Sequence, residues 1–160
     1  MDVLRSPWRM AYVTSGVTEP GCVLCRALQD AGAERSLVVH VGERCFVVMN
    51  LYPYNAGHLM VSPRRHVARL GDADSEELHE LMLTTQRVET VFASAYRPDG
   101  INVGLNLGRS AGAGVEGHLH LHVVPRWNGD TNFMTVTGQT RVIPEDPFEA
   151  CARLKPYFAK

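Results

Sequence analysis

The stretch EGHLHLHVVPRW, Glu116 to Trp127, places His118, His120 and His122 at every second position, with Leu119 and Leu121 between them and Val123 following. A period of two is the mark of an extended strand, whose successive side chains leave the backbone on opposite faces. A helix would scatter these six residues around its circumference, whereas a strand sorts them into an apolar face for a core and a row of three imidazoles. A lone histidine on a strand is ordinary. Three in register, beside a glycine-rich loop, are a candidate site built from the one side chain that titrates near neutrality.

The rest of the chain supplies the partners such a strand needs. SLVVHV and RCFVVMN are β-branched runs joined by Gly42-Glu43, glycine first, the pattern of a type II′ hairpin. HLMVS follows the turn-rich LYPYNAG and extends the hairpin into an antiparallel meander. Residues 74–96 change period. Asp74 followed by Glu77 is a capping-box signature, and Leu78, Leu81, Met82, Val88, Val91, Phe92 and Ala95 recur at helical spacing, so a long amphipathic helix should lay that stripe on the sheet. INVGLNL returns to strand character. CVLCRALQDAG reads as a short helix closed by Gly32, and DPFEACARLKPYF as another. The order indicates an α+β fold, a mainly antiparallel sheet with one long helix and short ones; a parallel nucleotide-binding sheet would need helices alternating with strands. The length of 160 residues suits one domain, 1–160, with 1–20 an irregular arm and 134–160 a C-terminal tail.

A formal net charge of −1 gives no basic field for a nucleic-acid partner, so any phosphate must be gripped locally. The longest apolar run, CFVVMNLY, is too short to cross a bilayer, and the first residues lack the apolar core of a signal peptide; a cytoplasmic protein with no membrane partner is expected. In that compartment the four cysteines are thiols or metal ligands rather than a disulfide framework. Cys45 and Cys151 fall on apolar faces and read as core, His40 and His79 as surface or satisfied histidines, and Asp130 and Asn132 as turn residues.

A row of histidines can bind a metal or supply a nucleophile. Six of the fourteen glycines lie in residues 100–117, directly ahead of the triplet. Glycines let backbone N–H groups close on an anion, which favours the second reading: an imidazole beside a phosphate cradle. The loop is not a P-loop, since it lacks the lysine followed by Ser/Thr, and it opens no helix as a dinucleotide-binding turn does.

HLHLHVV, with NAGHLMVSPRRH upstream and Asn106 ahead of the glycine loop, resembles the histidine triad (HIT) family of nucleotide hydrolases and transferases, over roughly Cys22 to Phe133. HVVPRWNGDTNF and MNLYPYN look most like its bacterial branch of diadenosine polyphosphate phosphorylases and hydrolases. The resemblance implies that His120 attacks the α-phosphorus of a dinucleoside polyphosphate to form a nucleotidyl-imidazole, which water or phosphate then resolves. It implies that His122 stabilises charge, that Asn106 and backbone amides from Gly112 through Gly114 to Val115 hold phosphate oxygens, that Asn50 meets the ribose, and that His58 buttresses the triad. No catalytic cofactor is needed in that scheme. Val115 stands where many members carry Ser or Thr, so a side-chain hydroxyl is missing from the phosphate site. Zinc-containing members further imply a structural zinc on Cys22, Cys25, His66 and His118, which gives the first triad histidine a task away from the substrate. A homodimer is also implied. An adenosine phosphoramidase, a non-catalytic nucleotide-binding protein and a histidine-only metalloenzyme are the competing functions.

Overall fold

A computed structural model describes residues 21–131 and 144–159; the arm at 1–20, residues 132–143 with Asn132, and Lys160 lie outside the described residues. Five strands, β1 (Val38–Val41), β2 (Cys45–Met49), β3 (Leu59–Pro63), β4 (Gly100–Leu105) and β5 (Leu121–Arg126), form one sheet in the order β1-β2-β3-β5-β4. Every neighbouring pair is antiparallel. Among the described residues three α-helices accompany the sheet: α1 (Val23–Gln29), α2 (Ser75–Ala95) and α3 (Pro147–Phe158). The fold is the α+β arrangement indicated by the sequence. β1, β2 and β3 make the meander, while β5 lies beside β3 and leaves β4 as an edge.

Both faces of the sheet centre are covered. Cys45, Val47 and Met49 of β2 enter a core closed by Leu81, Val88, Val91 and Phe92 of α2 and by Cys151, Leu154 and Phe158 of α3. Phe46 and Val48 enter a second cluster with Leu24 of α1. That is why β2 reads as an unbroken apolar run: all five of its residues are buried. Each large apolar side chain removed from water in this way contributes about 1.5–3 kcal/mol.

α2 starts where the sequence places it. The Asp74 carboxylate accepts the Glu77 N–H at 2.7 Å, and the Glu77 carboxylate accepts the Asp74 N–H at 2.9 Å. The buried line runs Glu77, Leu81, Thr85, Val88, Phe92, in steps of three or four residues. Met82, expected on that stripe, is exposed, because it lies one residue, roughly 100° of helical rotation, off the line.

Three boundaries differ from expectation. The β1–β2 turn is shifted by one residue: Gly42 N–H donates to the Cys45 carbonyl at 2.8 Å, so Glu43 and Arg44 are the central pair. Glycine is needed at 42 for space, since a Cβ there would lie 2.5 Å from Glu80 Oε1, and the Glu80 carboxylate accepts the Arg44 and Cys45 N–H groups. α1 ends at Gln29 with Asp30 as its cap, ahead of Gly32. β5 begins at Leu121, so of the three alternating histidines only His122 lies in the strand. The β3 ladder stops at Val61↔Leu121. Beyond it, Leu119 N–H donates to the Val67 carbonyl at 2.6 Å and the Ser62 hydroxyl donates to the Leu119 carbonyl at 2.7 Å.

Candidate functional site

His118, His120 and His122 are all buried, and they diverge into different surroundings. His122 faces His58, with His58 Nε2 and His122 Nδ1 at 2.9 Å. The other nitrogen of His58, Nδ1, accepts the Tyr54 backbone N–H at 3.0 Å and lies 3.4 Å from the Asn50 amide nitrogen. A nitrogen that accepts carries no proton, so the His58 proton sits on Nε2 and is donated to His122 Nδ1. The His122 proton is thereby displaced to its own Nε2. A backbone amide has thus set the tautomer of two rings in series, and the second presents an N–H donor. The Asn106 amide nitrogen Nδ2 stands 3.3 Å from His122 Nε2, so this N–H would be met by the Asn106 oxygen only with the amide turned end for end.

His120 is oriented the other way. Its Nδ1–H donates to the His118 carbonyl at 2.7 Å, which leaves Nε2 with a lone pair. Its ring meets that of His122 edge-on, with centroids 4.9 Å apart. Burial holds the His120 imidazole below its ordinary pKa, and the hydrogen bond to the His118 carbonyl only partly offsets this, so the neutral form needed for attack on an electrophile prevails near pH 7. A ring whose Nε2 carries a lone pair therefore stands beside a ring whose Nε2 carries the proton.

The first histidine looks elsewhere. Cys22 Sγ and Cys25 Sγ lie 3.3 Å and 3.5 Å from His118 Nδ1, and Cys25 Sγ lies 3.4 Å from His66 Nδ1. The four ligand atoms fall within 4.8 Å of one another, a set able to hold a metal ion. His118 Nε2–H donates to the Pro63 carbonyl at 2.8 Å, which leaves Nδ1 unprotonated toward the sulfurs. Burial and the neighbouring Cys22 push the Cys25 thiol up; a cation among these donors reverses that, because a coordinated thiol is held as the thiolate.

The expected phosphate residues are only partly gathered in the open. The Gly112 amide donates to the Arg109 carbonyl at 2.9 Å, and Gly112, at φ 86°, serves the turn. Val115 packs against the cluster around Phe46 and Leu24, which accounts for an apolar residue at that place. Asn50 Oδ1 accepts the Tyr52 N–H at 2.9 Å, so both ends of its amide are engaged inside the protein. Cys45 and Cys151 are core residues as expected, while His40 stacks on Phe158 and His79 is exposed.

Two participants are missed by sequence reasoning. Tyr54 supplies the tautomer-setting amide, and its ring lies on His58 and His122 with centroids 4.5 and 5.4 Å away. An aromatic residue in the turn just ahead of Gly57-His58 is the signal that could have found it. Asp130, read as a turn residue, is a hub: its carboxylate accepts from Asn55, Arg126, Trp127 and Thr131.

The HIT domain family model matches residues 32–129. A protein of Mycobacterium tuberculosis named AP-4-A phosphorylase is 54% identical over 149 residues, which cover 89% of this chain and 76% of that protein. A Dictyostelium discoideum protein named bis(5'-adenosyl)-triphosphatase is 37% identical over 92 residues, 58% of this chain and 61% of that one. Among solved structures, a Zn-bound histidine triad family protein from Mycobacterium smegmatis superposes with a TM-score of 0.68 at 27% identity, covering 87% of this chain and 94% of the other.

Proposed function

From the premise that this chain belongs to the HIT family and is an enzyme of it, we propose that it cleaves dinucleoside polyphosphates of the diadenosine tetraphosphate kind at the α-phosphate, with His120 as nucleophile. The observation that carries this reading is the contact geometry of the two rings. His120 Nδ1 lies 2.7 Å from the His118 carbonyl, which frees Nε2 of its proton, and His122 Nδ1 lies 2.9 Å from His58 Nε2, which assigns the His122 proton to Nε2. His120 Nε2 donates its electron pair to the α-phosphorus, and the bond to the leaving polyphosphate oxygen breaks. The products of this step are a nucleotidyl-imidazole and the free nucleotide. The His122 N–H, with Asn106 behind it, stabilises charge that develops on the phosphate oxygens. Amides of Gly114 and Val115 hold nonbridging oxygens, and Gly112 shapes the turn that carries them. Asn50 meets the ribose through the lone pair its oxygen retains. Phosphate or water then attacks the same phosphorus and releases His120. Two displacements replace one difficult transfer.

Cys22, Cys25, His66 and His118 hold a structural zinc in this reading. Zn–S bonds of roughly 2.3 Å and Zn–N bonds of roughly 2.0 Å at tetrahedral angles place neighbouring ligand atoms about 3.3–3.8 Å apart. The S···N separations of 3.3, 3.4 and 3.5 Å fit that set. The site is closed by four protein donors, so the ion would tie the head of α1 to the segment after β3 and to His118. The protein acts as a homodimer in this reading, supported by the outer edge of β4 with its exposed Val103, and light scattering tests that. Four free cysteines support a reducing, cytoplasmic setting.

The deciding assay incubates diadenosine tetraphosphate with and without phosphate. Phosphorolysis gives ADP and ATP, and asymmetric hydrolysis gives AMP and ATP. Rapid quenching should trap a nucleotide on His120, and His120→Asn should bind nucleotide without turnover. If wild type and variant bind alike and neither turns over any dinucleotide, the protein is a binder and the proposal fails. An adenosine phosphoramidate cleaved faster than the polyphosphate would move the activity to that substrate.

A further inference from the structure

Residues 50–58 connect β2 to β3 and carry Asn50, Tyr54 and His58, yet the connection is largely exposed at Leu51, Tyr52 and Tyr54. Something must hold it in place, because a ring shifted by about 1 Å would break the 2.9 Å link from His58 to His122. The ladder does not do so. β3 pairs with β5 through Leu59↔Val123, Met60↔His122 and Val61↔Leu121, and the register, continued outward, would set Gly57 opposite Pro125. Proline has no amide proton to give, and Gly57 leaves the strand at φ 72°.

Side chains continue where the backbone pairing ends. Asn55 Nδ2 donates to the Pro125 carbonyl at 3.1 Å and to Asp130 Oδ2 at 2.8 Å. The same carboxylate receives Arg126 Nε at 2.6 Å, Arg126 Nη2 at 2.9 Å and the Trp127 N–H at 3.1 Å. Arg126 Nη1 reaches on to Asn102 Oδ1 of β4 at 2.8 Å. On the loop side, the His58 N–H donates to the Asn55 carbonyl at 3.3 Å. Gly57 is closed in by Tyr96 and Pro125, since a Cβ there would lie 3.1 Å from Tyr96 Cε2 and 3.2 Å from Pro125 Cγ.

We propose that Asn55 and Asp130 form a clamp of positioning residues that fixes His58, and through it the tautomer and aim of His122. The proposal rests on the reading of His120 and His122 as the reacting pair. Neither clamp residue needs to touch substrate. The clamp acts by setting the distance between the Tyr54 amide, His58 and His122, so its loss affects turnover rather than nucleotide affinity.

The test compares the wild-type protein with Asn55→Ala and with Asp130→Asn, which keeps the side-chain shape and removes the charge. Imidazole 15N spectra of the free, metal-replete proteins report the tautomers. The wild type should show His58 and His122 each as a single Nε2–H form, and Asn55→Ala should show tautomer mixtures at both. With diadenosine tetraphosphate, kcat should fall at least tenfold in Asn55→Ala while KM moves less than threefold, and Asp130→Asn should fall in between. If Asn55→Ala does not fold, Asp130→Asn decides by the same two readouts. Ordered tautomers with unchanged kcat overturn the clamp, as does a rise in KM alone, which would make Asn55 a substrate contact. The spectra need no nucleotide, so tautomers that scramble in a protein whose wild type cleaves no dinucleotide would support the clamp and refute the proposed reaction.

Discussion

His58 Nε2 lies 2.9 Å from His122 Nδ1 in a buried contact, and the proton between them is assigned by a third group, the Tyr54 backbone amide. The two histidines therefore act as one unit. His58→Ala should lower kcat on the order of a hundredfold, the scale of losing the alignment of a reacting group, with little change in KM. His122→Ala should fall at least as far, and the double variant little further than His122→Ala alone, because coupled residues are not additive. Steady-state kinetics on the three variants measure this; fully multiplicative losses would separate the two rings.

The thiols should divide into two classes. Burial, followed by the carboxylates of Glu80, Glu77 and Asp74, pushes Cys45 up to about 12, and burial pushes Cys151 up, so neither is reactive as thiolate at pH 8. A thiol reagent should find none of the four cysteines in metal-loaded native protein, two after chelation and four in denaturant. Zinc release measured in the same samples should follow the first pair. Protein prepared without chelator that carries no metal, with Cys22 and Cys25 reactive from the start, would remove the metal centre.

Acid should loosen the molecule through two carboxylates. Hydrogen bonds from Arg65 hold Glu77 below the usual range, and those from Arg126 hold Asp130 well below it. With folded values below the unfolded ones, at roughly 4.3 and 3.9, the unfolded chain binds more protons in between. Their stabilisation is complete above about pH 5 and is lost as pH falls through roughly 4 and below. Urea unfolding from pH 3 to 7 should show a shallower rise of stability in Glu77→Gln and in Asp130→Asn than in wild type. An unchanged slope in both would refute the assignment.

Gly57 should tolerate no side chain. Its φ of 72° is left-handed, and the added methyl would crowd Tyr96 and Pro125, so Gly57→Ala should cost about 1–3 kcal/mol in denaturant unfolding. Gly32→Ala is the control. Nothing lies within 4 Å of a Cβ there, and a change within about 0.5 kcal/mol is expected. Equal effects at the two positions would contradict the close approach.

What the sequence reveals and what it conceals follow from range. The capping box at Asp74 and Glu77, the antiparallel pairing and the α+β class are written in local period and local hydrogen bonding, and all are found. The convergence of Cys22, Cys25, His66 and His118 is read through family resemblance and found in space. Local alternation extends β5 over all three histidines, yet the strand starts at Leu121, because the partners of Leu119 are the Ser62 side chain and the Val67 carbonyl, off the ladder. Asp130 reads as a turn residue because its most telling partner, Asn55, lies 75 positions away. Tyr54 acts through its backbone amide as well as its ring, and the aromatic residue in the turn ahead of Gly57-His58 is a faint local signal of the first role.

The β3–β5 register holds three residue pairs, whereas β4–β5 holds six and β2–β3 five. The sheet is therefore two ribbons joined along a short seam, and His58 and His122 face each other across it. Opening that seam breaks the fewest ladder pairs of the three junctions from β2 to β4, so the histidine pair sits on the shortest ladder of the inner sheet. A nucleotide bound against both edges would stitch the seam shut, and its binding should appear as slower amide exchange at Met60 and His122 before any change deep in β2.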